Sequence, residues 1–260
     1  MFEARIKEGG VLKKINDGLK DLVTEANFEC SSTGLSLQAM DSSHVSLVAL
    51  RLASEKFDHF RCDRALSIGI NLTSLSKHLR PCGNDSIVTL KADDQSDNLS
   101  FMFEHPDQQR ITSSEMKLMD IDSEHLGIPD TDFTATVKMS SSEFQHICKD
   151  FKELADTVSI AVSKNAIKFS VTGEMGSMEH TIQPSGSPDT KEEDRVEIEC
   201  KEPVALKFAL RYLLLFTKAT PLSPRVTLSL SKDVPLVAGY PIEEMGDLRY
   251  YLAPKIEDDE

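Results

Sequence analysis

The sequence predicts an α+β fold of two similar domains in tandem, each with two helices laid on antiparallel sheet. Three observations predict it. Residues 12–41 recur in pattern at 144–173. A later stretch, Leu72–Leu90, recurs at Leu210–Leu228. Most of the remaining chain alternates apolar and polar residues with the period of half-buried strands.

In the first copy Leu12, Ile15, Leu19 and Leu22 fall at helical spacing, then Phe28, Leu35, Leu37 and Ala39 at strand spacing. The second copy puts Phe144, Ile147, Phe151 and Leu154, then Ile160, Ile167, Phe169 and Val171, at the matching places. Charges keep the register, since Lys20-Asp21-Leu22 recurs as Lys152-Glu153-Leu154. Further on, Leu72, Leu75 and Arg80 match Leu210, Leu213 and Lys218, and Val88-Thr89-Leu90 matches Val226-Thr227-Leu228. The offset is larger there. An insertion in the polar loop Gln183–Asp194 explains it, where Pro184, Gly186 and Pro188 break periodicity. Helices are expected over 9–23, 72–80, 141–154 and 206–218, and strands at Leu35–Ala39, Val45–Leu50, Leu66–Ile70, Ile87–Leu90, Val196–Cys200 and Val226–Leu230. The expected domains are 1–117 and 134–260, joined by the Asp-rich connector 118–133 with Gly127 and Pro129. A 260-residue chain lets each half bury a core of its own. A duplicated domain invites a ring or a pseudosymmetric assembly.

The chain holds 43 Asp and Glu against 29 Lys and Arg, a formal charge of -14, which superficially argues against nucleic acid. The charge is sorted, however. The four expected helices carry ten basic residues (Lys13, Lys14, Lys20, Lys77, Arg80, Lys149, Lys152, Lys207, Arg211, Lys218) and only five acids. Lys13/Lys20, Lys77/Arg80, Lys149/Lys152 and Arg211/Lys218 each share a helix face. Four such pairs on four repeated helices point to one shared anionic ligand, bound through phosphates without base preference.

Other chemistry is sparse. The five cysteines form no CxxC pair and no zinc spacing, and four sit in or beside apolar stretches, as small buried hydrophobes do. No signal peptide precedes Met1 and no apolar run reaches membrane-spanning length, so a reducing compartment and no membrane contact are expected. There is no phosphate-cradling glycine loop, GxSxG elbow or HExxH. Asp93, Asp94 and Asp97 are the candidates for a metal-dependent nuclease, yet they lack the glycine and distal glutamate of a calcium loop and read as a solvated turn. Cys62, flanked by Arg61 and Arg64, has no general base near it in sequence. The expectation is a binding protein with no catalytic residues, metal or cofactor. The connector's apolar residues Leu126, Ile128 and Phe133 exceed what a linker needs. They read either as a staple onto the domain body or as a docking surface.

Several strings complete the picture: Met1-Phe-Glu-Ala-Arg, Leu37-Gln-Ala-Met-Asp-Ser-Ser-His-Val-Ser-Leu-Val, Arg61-Cys-Asp-Arg, Lys117-Leu-Met-Asp-Ile-Asp, Glu124-His-Leu-Gly-Ile-Pro, Phe208-Ala-Leu-Arg-Tyr-Leu, Phe216-Thr-Lys-Ala-Thr-Pro-Leu-Ser, Asp233-Val-Pro-Leu-Val and Tyr250-Tyr-Leu-Ala-Pro-Lys-Ile. Through them the chain resembles, over its whole length, the eukaryotic DNA sliding clamps of the proliferating cell nuclear antigen (PCNA) family. The resemblance implies a nuclear homotrimer closed head to tail, with twelve helices inside and duplex DNA through the middle. Twelve helices at ~9–10 Å spacing set a circle roughly 36 Å across at their axes. Removing a helix diameter of ~10 Å leaves a bore of about 26 Å, wide enough for a duplex. Such a ring tethers by topology and serves as a processivity factor for DNA polymerase and a platform for replication and repair proteins.

The resemblance also implies sites. The DNA-facing set is Lys13, Lys14, Lys20, Lys77, Arg80, Lys149, Lys152, Arg211 and Lys218, with Arg61 and Arg64 added. Partners carrying a short glutamine-aliphatic-aromatic motif (the PIP box) would dock on Met40, His44, Val45, Leu47, Leu126, Ile128, Pro129, Phe133, Pro235, Tyr251, Ala253 and Pro254. Subunits would meet through Arg110 and Ser114 on one strand and Met175, Met178 and His180 on the other. Lys164, in the turn Ser163-Lys-Asn-Ala, is the implied ubiquitin acceptor. Nothing here binds nucleotide, so an ATP-driven clamp loader is implied. Two departures stand out: family members commonly carry an aromatic residue at Ser114, and Met178 and His180 replace smaller or aliphatic residues. Gly239 and Pro241 disturb an edge near the pocket. A subunit of a heterotrimeric checkpoint clamp is the alternative within the fold.

Overall fold

The structure is a computed structural model describing residues 1–93, 96–105, 107, 109–122, 126–128, 131–185 and 189–256. Asp94, Glu124, His125, Pro129, Gly186, Pro188 and the acidic tail 257–260 lie outside the described residues. The chain packs as two compact units. One comprises Met1–Ser42, Val48–Gly127 and Ile242–Leu248, the other Ser43–Leu47, Ile128–Pro241 and Arg249–Glu260.

In the first unit β1 (Phe2–Ile6), β5 (His59–Cys62), β7 (Ile87–Ala92), β8 (Asn98–His105) and β9 (Arg110–Lys117) form a five-stranded sheet in the order β5-β1-β7-β8-β9. β2 (Glu25–Ser31) pairs antiparallel with β3 (Gly34–Met40) on one side and β6 (Leu66–Asn71) on the other. Helices α1 (Gly10–Leu19) and α2 (Leu72–His78) pack on each other. α1 lacks a side-chain cap, and its first amides are met by backbone instead: Gly9 N donates to Ser86 O at 2.7 Å and Gly10 N to Asn84 O at 3.3 Å. That approach requires glycine, because a Cβ on Gly9 would lie 2.2 Å from Val88 Cγ2 and 2.7 Å from Ser86 O. α2 is capped by Asn71, whose side chain accepts from Ser74 N at 2.9 Å.

In the second unit β10 (Ala135–Ser140), β14 (Glu197–Cys200), β16 (Arg225–Leu230) and β17 (Leu236–Ile242) run in the order β14-β10-β16-β17. β11 (Thr157–Val162), β12 (Ile167–Gly173), β13 (Gly176–Ile182) and β15 (Val204–Ala209) form a separate sheet in the order β13-β12-β11-β15. α3 (Ser141–Lys152) starts at Ser140, which accepts from Glu143 N, and ends with Lys149 and Lys152 against its C-terminal dipole. α4 (Leu210–Phe216) runs on into a 3-10 turn, Thr217–Leu222, that contains Pro221.

The expected helix 206–218 is corrected at its start. Val204–Ala209 alternates buried and exposed residues and pairs with β11 in register Val158↔Phe208. Leu206 mimics a helical neighbour of Leu210 and Leu213, but a period of two wins once a partner strand supplies the hydrogen bonds. Lys207 therefore belongs to a strand.

The repeated helix faces bury as expected. Ile15 and Leu19 are covered in the first unit, Ile147 and Phe151 in the second. The cores differ in size of side chain. The second unit packs Phe144 against Phe169, with ring centres 6.2 Å apart, and stacks Phe216 on Tyr250 at 4.6 Å. The first has Leu12 and Leu37 at the places of Phe144 and Phe169, and holds an apolar cavity of about 50 Å³ that Leu12, Asn16, Leu35 and Phe101 help to line.

Candidate nucleic-acid interface

Each unit presents its basic residues on short helices for a local reason. The apolar positions of α1 turn Ile15 and Leu19 inward, which leaves Lys13 and Lys14 exposed. Lys20 follows the last turn and is tied down, with Nζ 2.5 Å from Asp17 Oδ1 and 3.5 Å from Ser76 Oγ of α2. Its ammonium links the two helices of the first unit, and Asp17 offsets part of its charge. Lys77 and Arg80, at and beyond the end of α2, are exposed.

The second unit repeats the scheme. Lys149 is exposed on α3, and Lys152 is paired with Asp156 just beyond it. Arg211 opens α4 with its guanidinium carbon 4.9 Å from the centre of the Tyr212 ring, which steadies an otherwise flexible fork. Lys218 is exposed in the following 3-10 turn. Arg61 and Arg64 are placed differently. Arg61 lies on the edge strand β5 and grips Asp63 at 2.8 and 3.1 Å, and Arg64 follows that strand. Arg61, and behind it the terminal amino group, hold the Asp63 carboxyl below the usual carboxylate range. The ion pair offsets part of the Arg61 charge, as Asp17 does for Lys20.

The expected partner-docking residues divide between the units. In the first, Gln38 grips the connector backbone with two hydrogen bonds, Nε2 to Leu126 O at 2.8 Å and Leu126 N to Oε1 at 3.0 Å. Asn27 Nδ2 donates to Ile121 O at 2.8 Å. The Leu126 backbone is thus held while its side chain stays 37% exposed. Met40, at the end of β3, is half-buried. In the second unit, the segment 44–46 runs beside 251–253: Ala253 N donates to Val45 O at 3.2 Å and Ser46 Oγ to Tyr251 O at 2.9 Å. His44 has φ 56°, is exposed, and turns the chain into that pairing. Val45, Leu47, Phe133, Tyr251 and Pro254 are half-buried there, while Ile128, Pro235 and Ala253 are exposed. Pro129 lies outside the described residues. Gln38 and Asn27 were missed by sequence reasoning, because a polar residue in an alternating strand gives no sign of which backbone it will meet.

Of the expected subunit contacts, Arg110 and Ser114 lie on β9, an edge of the five-stranded sheet, and Met178 and His180 on β13, an edge of its own sheet. Ser114 Oγ is 2.6 Å from His78 Nδ1, and His180 Nε2 is 3.2 Å from Glu143 Oε1 of α3. Met175, in the turn before β13, is 81% exposed. Lys164 is exposed in the β11–β12 turn, which closes through Ser163 N to Ala166 O at 2.9 Å.

Among the described residues no group of three or more His, Cys, Asp or Glu side chains is placed to hold a metal ion. Burial raises the Cys30, Cys82 and Cys148 thiols, Cys82 to about 11, so none is an activated nucleophile. No described helix is long and apolar enough to cross a membrane. What the arrangement offers is cations on repeated helices and the edge strands β9 and β13. Comparison with known families agrees with that reading. A model of the proliferating cell nuclear antigen N-terminal domain matches residues 1–125, and one of the C-terminal domain matches residues 127–255.

Proposed function

Because the chain belongs to the proliferating cell nuclear antigen family of DNA sliding clamps, we propose that three copies close head to tail into a ring that encircles duplex DNA in the nucleus. Clamps of this family bind DNA and polymerases and are generally not enzymes. The ring confers processivity on a DNA polymerase and is opened by an ATP-driven loader. The observation that carries this reading is the sorted charge: exposed Lys13, Lys14, Lys77, Arg80, Lys149, Arg211 and Lys218 sit on or just beyond the repeated helices of a chain with net charge -14. Helical cations positioned toward phosphates bind weakly and without sequence, and this suits sliding. Acidic surface elsewhere disfavours contact with DNA on any other face.

The two edges support closure. β9 of one copy and β13 of the next each offer unpaired backbone donors and acceptors, which an antiparallel ladder satisfies. Partner proteins dock on the exposed Leu126 and Ile128 side chains, and Lys164, exposed in its turn, serves as a modification acceptor. Sedimentation of the purified chain, followed by retention on closed circular but not linear DNA after loading, tests the reading. A monomer at all concentrations, or equal retention on both DNA forms, defeats it.

A further inference from the structure

Two edge strands stand at the same place in the repeat and carry opposite charge. β5 pairs with β1 in register Phe2↔Cys62, and β14 pairs with β10 in register Ala135↔Cys200. Both end on a cysteine whose Sγ donates two residues on, Cys62 to Arg64 O at 3.0 Å and Cys200 to Glu202 O at 3.1 Å. Each is the outermost strand of its sheet. In both, exposed charged residues flank a half-buried apolar one: His59 and Arg61 flank Phe60, and Glu197 and Glu199 flank Ile198. One copy of the repeat is therefore basic along this edge, and the other is acidic.

Backbone direction decides which residues meet a further strand. Asp63 N donates to Met1 O at 3.2 Å and Lys201 N to Thr134 O at 2.9 Å, so the odd-numbered residues of both strands turn their amides toward their own sheets. Phe60 and Ile198 then turn N–H and C=O away. Val196 also faces outward, but Ser185 takes both its groups, donating to Val196 O at 2.9 Å and accepting from Val196 N at 2.8 Å, which closes the edge before Glu197. An antiparallel partner centred on Phe60↔Ile198 sets Arg61 against Glu197 and His59 against Glu199. Sliding by two residues one way puts His59 against Lys201, and the other way puts Arg61 against Arg195. Two copies of β5 centred alike would oppose His59 and Arg61, and two of β14 would oppose Glu197 and Glu199. Like charges directly opposite destabilise a ladder. The mixed pairing centred on Phe60↔Ile198 has none.

We propose that β5 of one copy of the chain pairs antiparallel with β14 of a second copy, through backbone hydrogen bonds at Phe60↔Ile198 and the flanking pairs Arg61–Glu197 and His59–Glu199. Arg61 is held by Asp63 and Glu197 by Arg225, yet their side chains remain 54% and 45% exposed, so each keeps a face for a second partner. The contact is heterologous. It leaves β14 of the first copy and β5 of the second open, and so joins more than two copies. Two strands of four residues bind weakly as a single pair, and several such contacts made at once between assemblies add up. The contact uses neither β9 nor β13 and stands apart from ring closure.

The test traps the register. Two full-length chains are made separately, one with His59→Cys and the other with Glu199→Cys. Both also carry Cys62→Ser and Cys200→Ser, so that the native thiols left, Cys30, Cys82 and Cys148, are buried. Residues opposite each other between the hydrogen-bonded pairs of an antiparallel ladder have Cα atoms about 4.5 Å apart, within disulfide reach. Oxidation by glutathione disulfide should link the two chains in the mixture and leave each chain alone unlinked. No link in the mixture, or equal linking in the single-chain samples, would overturn the proposal. A second measurement needs no cysteine. In sedimentation at high protein concentration, His59→Glu should weaken association through this edge about threefold to tenfold, and Glu199→Lys on the other chain should restore it. Loss without restoration would overturn the pairing as well. Ring closure is read separately: a chain that sediments without forming a trimer yet gives the link loses the ring and keeps this contact, and an intact trimer without the link does the reverse.

Discussion

Ser114 Oγ and His78 Nδ1 stand 2.6 Å apart, joining the middle of edge strand β9 to the end of α2. His78 in turn lies stacked over Phe101 at 6.0 Å, and Phe101 is the register partner of Ser114 on β8. The serine therefore spends its polar group inside its own unit. It offers a neighbour little apolar area, whereas an aromatic side chain buries 150–250 Å².

The ring is accordingly expected to be weak for its family. At ~25 cal/mol/Å² the difference is a few kcal/mol per interface, met three times in a closed trimer. The proposed backbone pairing of Arg110–Lys117 with Met175–Ile182 of a second copy does not depend on these side chains. Sedimentation should show partial dissociation at about micromolar protein, given that a few kcal/mol moves a dissociation constant by orders of magnitude. Ser114→Tyr combined with His78→Ala, which clears the space the histidine fills, should close the ring at lower concentration. A fully intact trimer at nanomolar protein, unaltered by that change, would transfer the interface to Met178 and His180.

Neutralising Lys20, Lys77, Arg80, Lys149, Arg211 or Lys218 should weaken clamp-dependent synthesis additively and without base preference. The salt slope of direct DNA binding should flatten by about one unit per lost contact. Lys20 should contribute least, because Asp17 at 2.5 Å already offsets its charge. If removing all six leaves synthesis and slope unaltered, the helices do not face DNA.

Partner peptides should compete for one surface that includes Leu126 and Ile128. Leu126→Ala or Ile128→Ala should each cost about 1–3 kcal/mol of peptide affinity by calorimetry. Gln38→Ala releases the Leu126 backbone and should weaken binding through added disorder of the free protein. Unchanged affinity in all three variants would remove this surface from consideration.

Stability should carry an acid-sensitive contribution from Glu197. Arg225 Nη1 donates to Glu197 Oε1 at 2.9 Å, and that hydrogen bond holds the carboxyl below its usual range. A carboxylate depressed in the folded state stabilises above its unfolded value, and the contribution is lost as pH falls through the folded value. Glu197→Gln should therefore lower the melting temperature slightly at neutral pH and have no effect at the acid end. A constant difference at every pH would show that the ion pair is not the cause.

Much of this was legible in the chain itself. The recurrence of Leu12–Leu22 as Phe144–Leu154 identified the doubled unit, because a helix packed on a sheet must repeat its apolar face to repeat its fold. The charge asymmetry of the helices was equally local: a lysine opposite a buried leucine points outward wherever the helix lies. Both are properties of periodicity, which sequence carries whole. Tertiary structure decided the rest. It made 204–209 a strand and not a helical turn, since β11 was there to pair with it. It turned Ser114 toward His78, and it laid Leu126 on Gln38. Each of these contacts joins residues whose chemistry allows many partners. The choice among partners follows from which backbones the sheets bring within 3 Å, and periodicity holds no record of that distance.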